Sequence, residues 1–217
     1  MRSMLRLGRL SRAFSTGQSK TITAAVAYDP TSPFRIEELQ LRAPRDDEVM
    51  VKVKAAGICH TDLAVKQRDL CSFPIVLGHE GTGVVEAVGS RVSNLAVGDH
   101  VLMSFGSCGS CSHCLAAKPG YCYDHGEINF SGTHPDGSLS HSKESGEDIY
   151  GTFFRQSSFA SHALATENNI LKVEDKSLDL ALLAPLGCGV QTGAGAVMNT
   201  FRGAPIGSSL AVMGCGS

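Results

Sequence analysis

The chain has 217 residues, 42% of them hydrophobic and 18% charged, which is enough apolar content to bury a core and too much for a disordered tail. Lys and Arg number 19 against 21 Asp and Glu, a net charge of −2 that lacks the positive field general nucleic-acid binding needs. No stretch approaches the ~18 unbroken apolar residues of a membrane-spanning helix, so neither nucleic acid nor a membrane is an expected partner.

Residues 1–16 carry Arg2, Arg6, Arg9 and Arg12, and no acid occurs before Asp29. On a helix the four arginines gather on one side with Leu7, Leu10 and Phe14 opposite them. Such a start fits a mitochondrial transit peptide and a matrix protein; a basic N-terminus without targeting meaning leaves the protein cytoplasmic. Both compartments keep thiols reduced, so the eight Cys are expected to hold metal rather than to pair.

Strands are predicted at Thr21–Tyr28, Phe34–Leu41 and around Val49, Val51 and Val53, the last half-buried by its alternation and stopped at Gly57. His60–Gln67 reads as a short helix, followed by strands around Val84-Val85 and Val101–Ser104. The fold class is therefore mainly β with short helices, as in a partly open barrel. Asp124–Tyr150, polar and rich in Gly, Ser and His, is expected to be an active-site flap or a flexible insert. Structure is expected to resume as a strand at Phe159–Ala165, helices at Leu178–Leu183 and Gly187–Phe201, and an apolar strand at Ser208–Met213.

Cys108, Cys111, Cys114 and Cys122 have the spacing C-x2-C-x2-C-x7-C. Three thiolates at steps of three wrap one ion and the fourth closes a tetrahedron, as in a structural zinc site. An iron–sulfur cluster shares the opening of this spacing, but the C-x3-C-P that completes the ferredoxin run and a second set are missing. Disulfides are the remaining alternative.

A second set is dispersed: Cys59 in Gly57-Ile58-Cys59-His60-Thr61-Asp62, His79 in Gly78-His79-Glu80, and Cys188 in Pro185-Leu186-Gly187-Cys188-Gly189. Gly78-His79-Glu80-x2-Gly83-x5-Gly89-x2-Val92 is similar to the signature of zinc-dependent medium-chain alcohol dehydrogenases, and residues 21–217 resemble the N-terminal part of that family. Phe154-x-Gln156-Ser157-Ser158-Phe159-Ala160 is most similar to its aryl (benzyl) alcohol branch.

The resemblance implies a GroES-like catalytic domain over 21–187. Residues 188–217 would then be a linking helix and the first strand of a Rossmann domain, truncated in this chain. It implies two zinc ions, one held by Cys59, His79 and Cys188 with a fourth position open to an alcohol, the other by Cys108, Cys111, Cys114 and Cys122. It further implies that Thr61 takes the alcohol proton, Asp62 orients His79, Glu80 assists ligand exchange and His60 faces the pyrophosphate of NAD. Helix capping by Thr61 or Asp62, and solvent-facing Glu80 and His60, are the plainer alternatives. Ala64 departs from relatives that place a relay His there.

Gly214 and Gly216, after an apolar run, resemble the opening of a dinucleotide-binding G-x-G-x-x-G whose continuation is absent. The implied reaction of the parent enzyme is oxidation of a small alcohol to its aldehyde with hydride passed to NAD, with homo-oligomerisation plausible. A zinc-binding GroES-like module without turnover is the alternative, and no turnover is expected of this truncated chain.

Overall fold

A computed structural model describes residues 18–201 and 205–214; the basic segment 1–16, Cys215 and Gly216 lie outside the described residues. Ten strands are arranged in two five-stranded sheets. In the first, β4 (Ile75–Val76), β1 (Lys20–Ala27), β2 (Arg35–Leu41), β7 (His141–Ser142) and β8 (Asp148–Ile149) lie side by side in that order. The Val76 N–H donates to the Tyr150 carbonyl at 3.0 Å and the Tyr150 N–H to the Pro74 carbonyl at 2.9 Å, which brings the two edges together and nearly closes a barrel. In the second sheet the order is β10 (Ile170–Val173), β6 (His100–Met103), β5 (Glu80–Val88), β3 (Glu48–Gly57) and β9 (His162–Thr166).

Alternation drives β1: Ile22, Ala24 and Val26 are buried while Thr21 and Thr23 are exposed. In β3 the expected half-burial is exceeded. Val49 and Val51 pack with Val85 and Val101, while Met50 faces the other way onto Ile22 and Leu39. That strand lies between two apolar layers, so both of its faces are covered at this end. Glu48 at its start is tolerated in the interior because the Arg42 fork donates to both carboxylate oxygens, at 2.6 and 2.8 Å.

Helix α1 (His60–Gln67) forms as the sequence predicts. So does α4 (Leu180–Leu183), which starts where the Asp179 carboxylate accepts the Ala181 N–H at 2.9 Å. Two expectations need correction. Asp124–Tyr150 is neither a flap nor an insert. It holds α3 (His125–Phe130), β7 and β8, and its side chains are anchored. Asn129 holds Gly106 by two hydrogen bonds and Arg42 donates to His134 Nε2 at 2.8 Å. Ser208–Met213 forms no strand; these residues are exposed and, among the described residues, pair with no other strand, which a strand needs to take its backbone groups. Between them α2 (Ser112–Leu115) lies within the cysteine-rich segment, and α5 (Gly189–Gly195) runs into a wider turn at Ala196–Thr200. Among the described residues no single helix is long and apolar enough to cross a membrane.

Two buried histidines couple this fold to pH. Burial, and then the charge of Arg42, pushes His134 down from 6.5 to about 4; burial, and then His134, does the same to His141. Folded pKa values below the unfolded ones mean that the unfolded chain takes up protons first. Their contribution to stability is complete above pH 6.5 and is lost as pH falls toward 4. Thermal unfolding is expected to move lower between pH 7 and 5, with a loss on the order of 2 kcal/mol per histidine at pH 5. A His134→Gln variant, which keeps an acceptor for Arg42, should lose part of that dependence; an unchanged profile contradicts the assignment.

Candidate metal centres

The first centre is built where α1 begins. Cys59 caps the helix, and its Sγ accepts the Thr61 N–H at 3.5 Å. Burial raises the Cys59 thiol, but the Thr61 N–H and hydroxyl and the nearby His79 ring outweigh it, so its pKa is lowered. Three residues on, the wholly buried Asp62 turns back: Oδ2 accepts the Cys59 N–H at 3.1 Å, and Oδ1 accepts the Gly78 N–H and His79 Nδ1–H, each at 3.0 Å. One carboxylate thus ties the start of α1 to the chain that carries His79.

Gly78 is required here. Its φ is +96°, and a Cβ would come within 2.4 Å of the Phe159 nitrogen. With Nδ1 committed to Asp62, His79 presents Nε2, which is buried and has no hydrogen-bond partner. Burial disfavours charge on this ring, yet Asp62 and the Cys188 sulfur raise its pKa to about 10, so the surroundings call for positive charge.

Cys188 precedes α5, after a tight turn at Ala184–Gly187 in which the Gly187 carbonyl accepts from Ser104 Oγ at 2.7 Å. Glu80 follows His79; its Oε1 accepts the Gly189 N–H at 3.2 Å, joining β5 to the segment that carries Cys188. The donor atoms of Cys59, His79, Glu80 and Cys188 all lie within 4.8 Å of one another. Two sulfurs, a carboxylate oxygen and an unpartnered imidazole nitrogen make a donor set that suits zinc.

The second centre is local. Donor atoms of Cys108, Cys111, Cys114 and Cys122 lie within 4.8 Å of one another, and all four are free thiols. The Cys108 and Cys114 sulfurs are 3.8 Å apart. A tetrahedron with ~2.3 Å zinc–sulfur bonds has edges of about 3.8 Å, whereas a disulfide needs ~2.05 Å. Sulfur acceptors are served by the backbone: the Cys111 N–H donates to Cys108 and the Cys108 N–H to Cys122, each at 3.3 Å. N–H groups of Ser110 and Cys111 pull Cys108 down to about 6, while burial and the Cys111 thiol push Cys114 up to about 11. Four sulfurs in one shell cannot all ionise unless a cation is bound.

Of the other predicted residues, Thr61 lies half-buried beside Cys59, His60 is exposed as the first residue of α1, and Gly214 is exposed with φ +88°. A cleft of about 660 Å³ is lined by Phe34, Ile36, Ile58, Leu63 and Phe159, but by none of the metal-donor residues. Sequence reasoning gave no structural role to Gln156 or Phe154. Gln156 is buried and its Nε2 donates to the His79 carbonyl at 2.8 Å; the Phe154 ring stacks on the His79 ring with centroids 4.5 Å apart. Both sit in an irregular turn without periodicity, and the one signal was the family likeness of the segment.

The chain is similar to known proteins in both sequence and fold. Residues 45–175 match the alcohol dehydrogenase GroES-like domain. Geraniol dehydrogenase of Castellaniella defragrans is 44% identical over 193 residues, covering 89% of this chain and 51% of that protein. Among solved structures, an alcohol dehydrogenase zinc-binding domain protein from Burkholderia ambifaria superposes with a TM-score of 0.81 at 50% identity, covering 84% of this chain and 50% of that one. Benzyl alcohol dehydrogenase from Acinetobacter calcoaceticus gives 0.78 at 45%, covering 86% and 50%. The chain spans about half the length of the curated relatives it matches. With its GroES-like architecture and these relatives, the chain belongs to the zinc-dependent alcohol dehydrogenase family.

Proposed function

We propose that the whole protein containing these residues oxidises a primary alcohol, of aryl or related unsaturated type, to the aldehyde with NAD as hydride acceptor. The observation that carries this is the convergence of Cys59, Cys188 and the unpartnered His79 Nε2 on one point, beside the Thr61 side chain. The aryl preference rests on likeness to benzyl alcohol dehydrogenase; geraniol dehydrogenase supports an allylic alcohol of similar apolar character.

Bound here, zinc supplies Lewis-acid polarisation of an alcohol oxygen, and a nicotinamide supplies the hydride acceptor. Cys59, His79 and Cys188 would hold the metal, and Asp62 keeps the proton of His79 on Nδ1 so that Nε2 is free to ligate. The Glu80 carboxylate lies within 4.8 Å of the same donor atoms and would be available to assist ligand exchange. Thr61, whose hydroxyl leans on the Cys59 sulfur, would accept the alcohol proton and pass it outward. His60, exposed at the neighbouring position, would face the cofactor phosphates. Cys108, Cys111, Cys114 and Cys122 hold a second zinc that stabilises the loop and takes no part in turnover.

Metal analysis separates the two centres. The 217-residue chain is expected to carry two equivalents of zinc; Cys59→Ala or Cys188→Ala should remove one while leaving thermal stability nearly unchanged, and Cys111→Ala should remove the other with a large loss of stability. If Cys111→Ala removed the first centre's metal and left folding untouched, the two assignments would have to be exchanged. In protein that also carries the dinucleotide-binding half of its relatives, Thr61→Val is expected to lower benzyl alcohol oxidation, followed by NADH absorbance, by ~10²–10⁴-fold with both zincs retained. Oxidation at the unsubstituted rate would remove Thr61 from the proton path.

A further inference from the structure

The segment from Thr152 to Phe159 runs alongside the chain that carries His79 and is bonded to it at nearly every step. Ser157 Oγ donates to the Val76 carbonyl at 2.6 Å, the Phe159 N–H to Leu77 at 3.0 Å and the Ser158 N–H to Gly78 at 2.9 Å. The side chain of Gln156 completes the series, with Nε2 donating to the His79 carbonyl at 2.8 Å and Oε1 accepting the Gly81 N–H at 3.0 Å. The same Nε2 donates to the Ser104 carbonyl at 3.1 Å, tying His79 to the chain after β6.

Above this ladder the Phe154 ring lies over the imidazole at 4.5 Å with 29° between planes, and Phe153 meets it edge-on at 5.7 Å. The backbone is forced to achieve this. Thr152, Phe154, Arg155 and Ser157 have φ of 63°, 50°, 59° and 47°, four left-handed non-glycine residues within six positions.

We propose that this turn is a clamp on the metal ligand His79, in which Phe154 sets the tilt of the ring and Gln156 the height of its backbone. Both are argued to act through His79, as positioning residues. Asp62 fixes which nitrogen faces the metal, but one hydrogen bond at Nδ1 leaves the ring some tilt about χ2, and the flat face of Phe154 restricts it. Ordinary core packing does not require a β-unbranched aromatic at φ 50°, where most side chains are strained. The proposal rests on the reading of Cys59, His79 and Cys188 as one metal centre.

The test is zinc competition between the full chain and a chromophoric chelator, which resolves the two ions. Phe154→Leu keeps apolar bulk and removes the flat ring. It is expected to weaken the ion at His79 by ~10–100-fold while the four-cysteine ion, a reporter of folding in the same sample, is unchanged. Phe154→Tyr should restore binding to within about threefold. Wild-type affinity in Phe154→Leu overturns the clamp, and so does parallel loss of both ions, which would mean packing alone. A second measurement needs no variant: in the zinc-loaded wild-type chain the His79 ring protons should be shifted upfield by the Phe154 ring current, and unshifted resonances contradict the stacking. A wild-type chain that binds no ion through Cys59, His79 and Cys188 would instead sink the underlying site reading, an outcome visible before any variant is made.

Discussion

A buried carboxylate with three N–H groups on it holds the first centre together. Asp62 is wholly buried and accepts from Cys59, Gly78 and His79. An ionised side chain in that position would be very costly without partners, so its bonds are obligatory rather than optional. They make the start of α1 and the junction of β4 with β5 one rigid unit. Two of the three proposed metal donors, Cys59 and His79, are fixed by these bonds. Glu80, through the Gly189 N–H, extends the arrangement to the segment that carries the third.

The two centres differ in what they ask of the fold. Cys108 to Cys122 is a loop of fifteen residues whose N–H groups already point at its sulfurs, so its ion needs little beyond local turns. Cys59, His79 and Cys188 are separated by up to 129 positions and meet only because β3, β5 and α5 are held in register. Loop closure of that length has to be offset by the rest of the barrel, which includes the strained Thr152–Phe159 turn. Its left-handed residues cost of order 1–3 kcal/mol each, and the ladder to Val76–Gly81 opposes that cost.

Much of this is written in residue types. Alternation in β1, the Cys59 to Asp62 opening of α1 and the spacing of the four cysteines were readable because each rests on local periodicity or local geometry. Met50 was not, since its second buried face depends on a layer contributed by Ile22 and Leu39 from other strands. Asp124–Tyr150 looked loose because its order comes from single long-range bonds, Arg42 to His134 and Asn129 to Gly106, that leave no pattern. Ser208–Met213 has strand composition and, among the described residues, no strand beside it. For the first centre, proximity of its three ligands came from family likeness; nothing in their spacing implies it.

Zinc K-edge X-ray absorption on the two-zinc chain addresses the convergence of Cys59, His79 and Cys188 most directly. One four-sulfur centre and one centre with two sulfurs and an imidazole average to about three sulfurs at ~2.3 Å and one nitrogen or oxygen at ~2.0 Å per zinc, with the outer-ring scattering of imidazole present. A pure four-sulfur shell, with no imidazole signal, would mean that His79 binds no metal and that the dispersed centre does not exist.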